Sequence, residues 1–229
     1  MTPQKSQNNN FLKPRSVTRL SEELDKRLLA HVAAASAAGV GMLALAQPAE
    51  AKIIYTPAHK IVRTNHAVPI DLNHDGIHDF DVFNRTHNST TPFGTYLAAE
   101  PLISGNQMWV QRTNRGFANY AAALRPGVRV GADKTRFQGG RDEMAFWSLT
   151  ALGTVSGGPW KNVKSRYLGL KFVIKGKTHY GWARLNVSIA TQSVNAILTG
   201  YAYETVPNEP IVAGKTKSDA TLGMLARGR

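Results

Sequence analysis

Residues 166–189 read RYLGLKFVIKGKTHYGWARLNVSI. Apolar residues alternate with polar or small ones along both arms, and Gly176 sits between them. The connection KGK with its central glycine joins alternating runs as a β-hairpin, because glycine supplies the positive φ that a tight turn needs. Alternation puts Leu168, Leu170, Phe172 and Ile174 on one face of the first arm. On the second arm Gly181, Ala183, Leu185, Val187 and Ile189 share that face. The opposite face then gathers Lys171 and Lys175 with Tyr180, Trp182 and Arg184. Flat aromatic rings beside cations suit a sugar ring that bears carboxylates or sulfates. The competing reading of the same residues buries Trp182 under another strand or loop, as large mid-strand aromatics commonly are.

Outward from the hairpin the pattern repeats without any sustained 3.6-residue period. KIIYTPAH, AVPIDL, DFDVF, QMWVQRT, RVGADKTRFQ, MAFWSLTALGTV and AILTGYAYETV are short β-branched or aromatic runs cut by Gly, Pro, Asn and Asp. Evenly spaced short strands predict an all-β fold, an antiparallel β-sandwich of jelly-roll type. No repeat at solenoid or propeller spacing is present. The chain has no Cys, so its core is built without disulfides.

The stretch DLNHDGIHDF (residues 71–80) interrupts the strands with three aspartates in a chain of formal net charge +13. Asp71, Asn73 and Asp75 stand at alternate positions, Gly76 follows at a sharp turn, and Asp79 closes the set. A loop curling round a hard cation turns every second oxygen ligand inward, so this spacing predicts calcium held by Asp71, Asn73, Asp75, the Ile77 carbonyl and Asp79. The nine residues resemble the short D-x-N-x-D-G-x-x-D loops of dockerins, thrombospondin-type calcium repeats and EF-hands. They depart from an EF-hand at position 12, where Val82 replaces the bidentate Glu, and no helical pattern flanks them. A plain hairpin turn at Asp75-Gly76 is the simpler reading. Zinc through His74 and His78 is the other metal reading.

The ends carry sorting information. Residues 1–27 hold six basic residues, an apolar run over residues 32–46 follows, and Ala49 and Ala51 form an Ala-x-Ala site. That order predicts a helical signal segment over residues 1–51, removed after Ala51 to leave Lys52 as the first residue of a secreted chain. A retained membrane anchor is the alternative, although fifteen apolar residues fall short of the roughly 20 a spanning helix needs. The folded domain is expected over residues 52–213, with a disordered basic tail over residues 214–229.

The hairpin, the following ILTGYAYETVPNEPIVAG and the acidic loop together look like the C-terminal part of the extracellular domains of bacterial PEP-CTERM-type exported proteins. That resemblance implies a secreted or surface-exposed bacterial β-sandwich and brings no catalytic residues with it. After Gly214 the chain departs from the pattern, with no Pro-Glu-Pro and no apolar helix, so release rather than membrane anchoring is expected.

No Gly-x-Ser-x-Gly elbow, His-Glu-x-x-His, phosphate loop or Cys nucleophile occurs. Asp142 and Glu143 are adjacent, so on a strand they point to opposite faces and cannot form a glycosidase pair by themselves. Charge is more informative. Residues 52–229 hold 22 Lys and Arg against 11 Asp and Glu. Six of the basic residues fall between Lys161 and Lys177; Arg112, Arg115, Arg125, Arg129, Lys134, Arg136 and Arg141 form a second group. An exported basic domain points to anionic polysaccharide or an acidic cell-surface matrix as partner, not to nucleic acid. A merely solvated basic surface is the bland reading, and a secreted hydrolase on the same scaffold is the alternative function.

Overall fold

The computed structural model describes residues 51–88, 93–112, 119–132 and 136–218. Residues 1–50 of the expected signal segment (residues 1–51) and residues 219–229 of the expected tail lie outside them. Every regular element among the described residues is a strand. In chain order these are β1 (Ile53–Val62), β2 (His66–Ile70), β3 (Phe80–Asn88), β4 (Phe93–Pro101), β5 (Gln107–Arg112), β6 (Asn119–Ala121) and β7 (Arg129–Val130). There follow β8 (Phe137–Gln138), β9 (Asp142–Thr150), β10 (Gly153–Gly157), β11 (Val163–Ile174), β12 (Lys177–Ala190), β13 (Ser193–Glu204) and β14 (Ile211–Val212).

The hairpin is β11–β12. Ile174 pairs with Lys177 across Lys175 (φ 49°) and Gly176 (φ 76°). Two consecutive left-handed residues make the tight turn whose twist matches the flanking strands. β13 adds to the other side of β12, and β1 adds to β13, all antiparallel. The full path is β1-β13-β12-β11-β5-β6-β9-β4-β3-β2, with β8 on β5 and β10 on β9. Only β6 and β9 run parallel within it. The first and last strands of that path, β1 and β2, are neighbours in the chain and touch in space, so the large sheet curls round on itself.

Curling encloses one core. Leu168, Leu170 and Phe172 of β11 and Ala183, Leu185 and Val187 of β12 project into it, as the alternation predicts. Ile70, Phe80, Val82, Leu97, Met108, Met144, Trp160 and Leu198 meet them there. Trp160 donates its indole N–H to the Ala121 carbonyl at 2.8 Å, which satisfies its one polar atom inside the core.

The outer face of β13-β12-β11-β5 is covered as well. Residues 122–132, 136–138 and 205–218 fold back across it, and their β7 and β14 pair as a separate two-stranded sheet. Trp182, Tyr180, Tyr167, Trp109 and Phe137 are buried beneath this layer with Val130 and Ile211. Residues 215–218 belong to the folded part: Ser218 Oγ accepts the Ile53 N–H at 2.9 Å.

One strand is unexpected, and two expected strands each divide in two. β4 was not marked by its sequence, because Gly94, Ala98 and Ala99 dilute the alternation, yet it pairs along its length with both β3 and β9. RVGADKTRFQ yields two short strands, β7 and β8, instead of one. MAFWSLTALGTV breaks after Thr150 into β9 and β10, a hairpin whose tip carries a fully exposed Leu152.

Trp182 sits between Tyr55 (ring centroids 5.8 Å apart) and Tyr167 (5.1 Å, edge-on), with no accessible surface. Its Nε1 makes no hydrogen bond. Trp182→Ala is therefore expected to cost about 3–5 kcal/mol in chemical denaturation, and Trp182→Phe distinctly less, since it keeps an aromatic ring and breaks no polar contact. Equal stability of wild type and Trp182→Ala would show that this layer is not packed as described.

Candidate functional site

The acidic loop connects β2 to β3, and its register is closed by Ile70–Phe80 pairing and by Asp79 N–H donating to the Ile70 carbonyl at 2.9 Å. Leu72 turns inward from the loop and is buried in the core, while Ile77 is exposed at the tip. His74 (φ 60°) and Gly76 (φ 85°) take left-handed conformations that bend the chain back. Asp71 Oδ2 accepts the Gly76 N–H at 2.9 Å, and Asp75 Oδ1 accepts the Ile77 N–H at 2.9 Å. Asn73 donates its amide to Asp75 Oδ2 at 2.9 Å. These bonds join Asn73 to Asp75 and tie Asp71 across the turn to Gly76. Asp71 Oδ1 is shielded from water and has no hydrogen-bond partner.

Asp79 is placed differently. Its carboxylate turns into the protein, where Oδ2 accepts the Leu72 N–H at 2.9 Å and Oδ1 faces the Asn106 amide at 3.4 Å. Asn106 in turn accepts the Val173 N–H through Oδ1 at 3.1 Å, so Asp79 ties the loop to β11. Burial pushes its carboxyl above the ordinary range, and the negative charges of Asp71 and Asp75 push the same way. Asp75 is held below the ordinary range by the Ile77 N–H and the Asn73 amide. His74 bonds Thr56 Oγ1 at 2.8 Å and stacks on Tyr201. Among the described residues no three His, Cys, Asp or Glu side chains converge as a metal-holding group. The oxygens that fit a hard cation are those of Asp71, Asn73 and Asp75; a carbonyl such as that of Ile77 and water would complete the shell.

The aromatic platform expected on the hairpin is absent. Trp182 is fully buried and Tyr180 nearly so, its ring against Phe137. Arg184 is committed to Thr199 (Nε to Oγ1, 2.8 Å) and to Tyr55. Lys171 donates to Gln107 at 2.9 Å, and Lys175 lies in the turn. These five residues offer no stacking surface because the outer layer occupies it.

The aromatic row continues beneath that layer from Tyr180 through Phe137 to Trp109, and there it meets guanidinium. Arg136 lies over the Trp109 ring at 5.2 Å from its centroid. Two grooves meet at this pair. One, of about 570 Å³, runs along Val110, Gln111 and Arg112; the other, of about 420 Å³, runs along Arg129, Gly131 and Pro210. Among the described residues no acidic side chain lines either groove. The second basic group of the sequence supplies Arg112, Arg129 and Arg136, but they stand on β5, β7 and the approach to β8. Nothing local in the sequence pairs them with Trp109.

A third concavity, of about 330 Å³, lies on β3-β4-β9 and includes His87, Tyr96, Tyr120, Glu143, Phe146 and Ser148. Glu143 is raised by burial, against a smaller opposing pull from His87, and Tyr120 is raised by burial and by Glu143. Its neighbour Asp142 is 7% exposed, with Oδ2 unpartnered, and burial raises it too. Compared with protein-family models, curated proteins and solved structures, the chain has no match in any of the three.

Asp79, Asp81, Asp142 and Glu143 are all raised in the folded protein. A carboxyl raised by folding binds more protons in the native than in the unfolded chain between its ordinary value and its raised one. Stability therefore falls as pH climbs through that window, starting near 4. Asp75, lowered, contributes in the opposite sense and only below its ordinary value. Without added metal the melting temperature should accordingly rise as pH is lowered from 7 towards the ordinary carboxyl value near 4. Asp142→Asn should raise it at pH 7 and flatten the profile; a profile that falls monotonically on acidification would contradict the assignment.

Proposed function

We propose that this is an exported binding module for acidic polysaccharide, with a calcium ion pinning its 71–79 loop. The observation that carries the polysaccharide reading is the pair of grooves meeting at Trp109 and Arg136, whose described lining residues include Arg112, Arg129 and Arg136 and no acid. Arg guanidinium is planar and matches carboxylate bidentately, and a chain of uronic or sulfated sugars can run through both grooves across three such groups. Salt bridging a flexible polyanion to a basic cleft also raises its rate of encounter. In this reading the curled sheet acts as a flattened sandwich, with β1-β13-β12-β11 facing β9-β4-β3-β2 across the inner core.

Titration with polygalacturonate tests it. Arg112→Ala with Arg129→Ala should weaken binding roughly tenfold or more without moving the melting temperature, and rising salt should weaken it further. Unchanged affinity in the double variant would refute the groove as the site.

Calcium is supported by the sheltered, unpartnered Asp71 Oδ1 and by the mutual repulsion of the three aspartates, which a divalent cation reverses. Without the position-12 Glu, affinity in the range of about 10⁻⁴ to 10⁻³ M is expected. A hundredfold excess over Kd stabilises by about 2.7 kcal/mol, enough to raise the melting temperature by several degrees. Asp71→Asn and Asp75→Ala should each remove that rise. Identical melting of the wild type in calcium and in chelator would exclude the site.

The raised Glu143 beside Tyr120 and His87 favours a second reading, a glycoside hydrolase with Glu143 as general acid. Release of reducing ends from the polymer, abolished by Glu143→Gln, would establish it.

A further inference from the structure

The backbone nitrogen of Lys52 lies 3.0 Å from Glu204 Oε1 and 3.2 Å from Thr205 Oγ1. The Lys52 carbonyl accepts the Thr205 N–H at 3.0 Å, and the next residue is held through its own N–H by Ser218 Oγ at 2.9 Å. Glu204 is only 4% exposed. Its Oε1 also accepts the Val206 N–H at 3.0 Å. His179 Nδ1 reaches Glu204 as well, but at the backbone carbonyl, 2.9 Å away. Among the described residues no Lys, Arg or His side chain forms an ion pair with this carboxylate; the ion pair found is Arg141 with Glu100. A carboxylate buried this far, with backbone donors and no cation, is an incomplete charge pair.

The missing cation lies one bond away. Hydrolysis of the Ala51–Lys52 peptide adds water across it: hydroxyl to the Ala51 carbonyl carbon, hydrogen to the Lys52 nitrogen. That nitrogen, now an amine with an ordinary pKa of about 7.7–8.0, takes a proton from solvent at neutral pH. A single peptide donor becomes a primary ammonium with three, at the point where Glu204 Oε1 and Thr205 Oγ1 already converge. Charge-assisted hydrogen bonds of this kind are about twice as strong as neutral ones. Residues 51 and 52 are both exposed, so a peptidase can reach the bond.

We propose that Glu204 and Thr205 form a binding site for the α-ammonium of Lys52, so that removal of the leader by a signal-type peptidase locks β1 onto β13. This rests on the reading that the chain is cut after Ala51, and the experiment separates the two. In the full chain, Pro48-Ala49-Glu50-Ala51 is replaced by Ile-Glu-Gly-Arg, so that factor Xa exposes Lys52 whatever the cell does. Cutting should raise the melting temperature by roughly 2–6 °C. The new α-amine should react with an acylating reagent at pH 7 about tenfold more slowly than in the same protein carrying Glu204→Gln. Glutamine keeps the acceptor oxygen and loses the charge. Should that variant fail to fold, acetylating the cut wild-type α-amine removes the charge from the other side and should reverse the gain in melting temperature. Equal melting temperatures before and after cutting, or equal acylation rates with Glu and Gln, overturn the site. Separately, N-terminal sequencing of protein recovered outside the cells should read Lys-Ile-Ile; a different first residue overturns the processing reading and leaves the ammonium measurements to judge the pairing.

Discussion

Burial of the β11–β12 hairpin on both faces is the constraint from which the rest of the architecture follows. One face carries Leu168, Leu170, Phe172, Leu185 and Val187, the other Tyr167, Tyr180 and Trp182. A two-stranded ribbon with apolar side chains on both sides is insoluble by itself, and each side needs a cover. The inner face is covered by curling the large sheet until β3, β4 and β9 lie opposite. The outer face is covered by residues 122–132, 136–138 and 205–218. That second cover removes the hairpin aromatics and Trp109 from solvent, and it leaves Arg136 lying over the Trp109 ring where the two grooves meet.

Charge in the acidic loop follows from the same geometry. Leu72 must enter the core, and its N–H is then satisfied by Asp79. One aspartate is thereby spent on anchoring, while Asp71 and Asp75 hold the turn through the Gly76 and Ile77 N–H groups. Residues of one type at regular spacing thus divide into a strut to the core and two carboxylates that shape the turn. The division is made by which backbone N–H groups the fold leaves without a partner.

The hairpin, its tight turn at Gly176 and the all-β class were legible because each rests on local signals: alternation, and a glycine where φ must be positive. The inward set of β11 and β12 was legible for the same reason. What covers the outer face was not, since β7 and β14 are two residues long and too short to show a period. Position alone assigned Trp182 to the outer side of the sheet, but exposure depends on residues distant in the chain, such as Tyr55, Val130 and Ile211. The Trp109–Arg136 stack was invisible in the same way, as a contact between β5 and the turn before β8. Asp79 and Asp71 look alike in sequence, and only the partner of each carboxylate tells them apart.

The order of strands also fixes an order in time. β1 is the first strand to emerge, from a ribosome or through a membrane, yet its partner is β13, and Lys52 meets Glu204 across 152 positions of chain. Until β13 arrives, the apolar side chains of β1 have no ladder to join, and closure must await almost the whole domain. Folds dominated by such distant pairings form slowly, over milliseconds to seconds, and expose unpaired strands while they wait. The leading strand is therefore the segment with most need of a chaperone, and the seam between β1 and β13 is where folding ends.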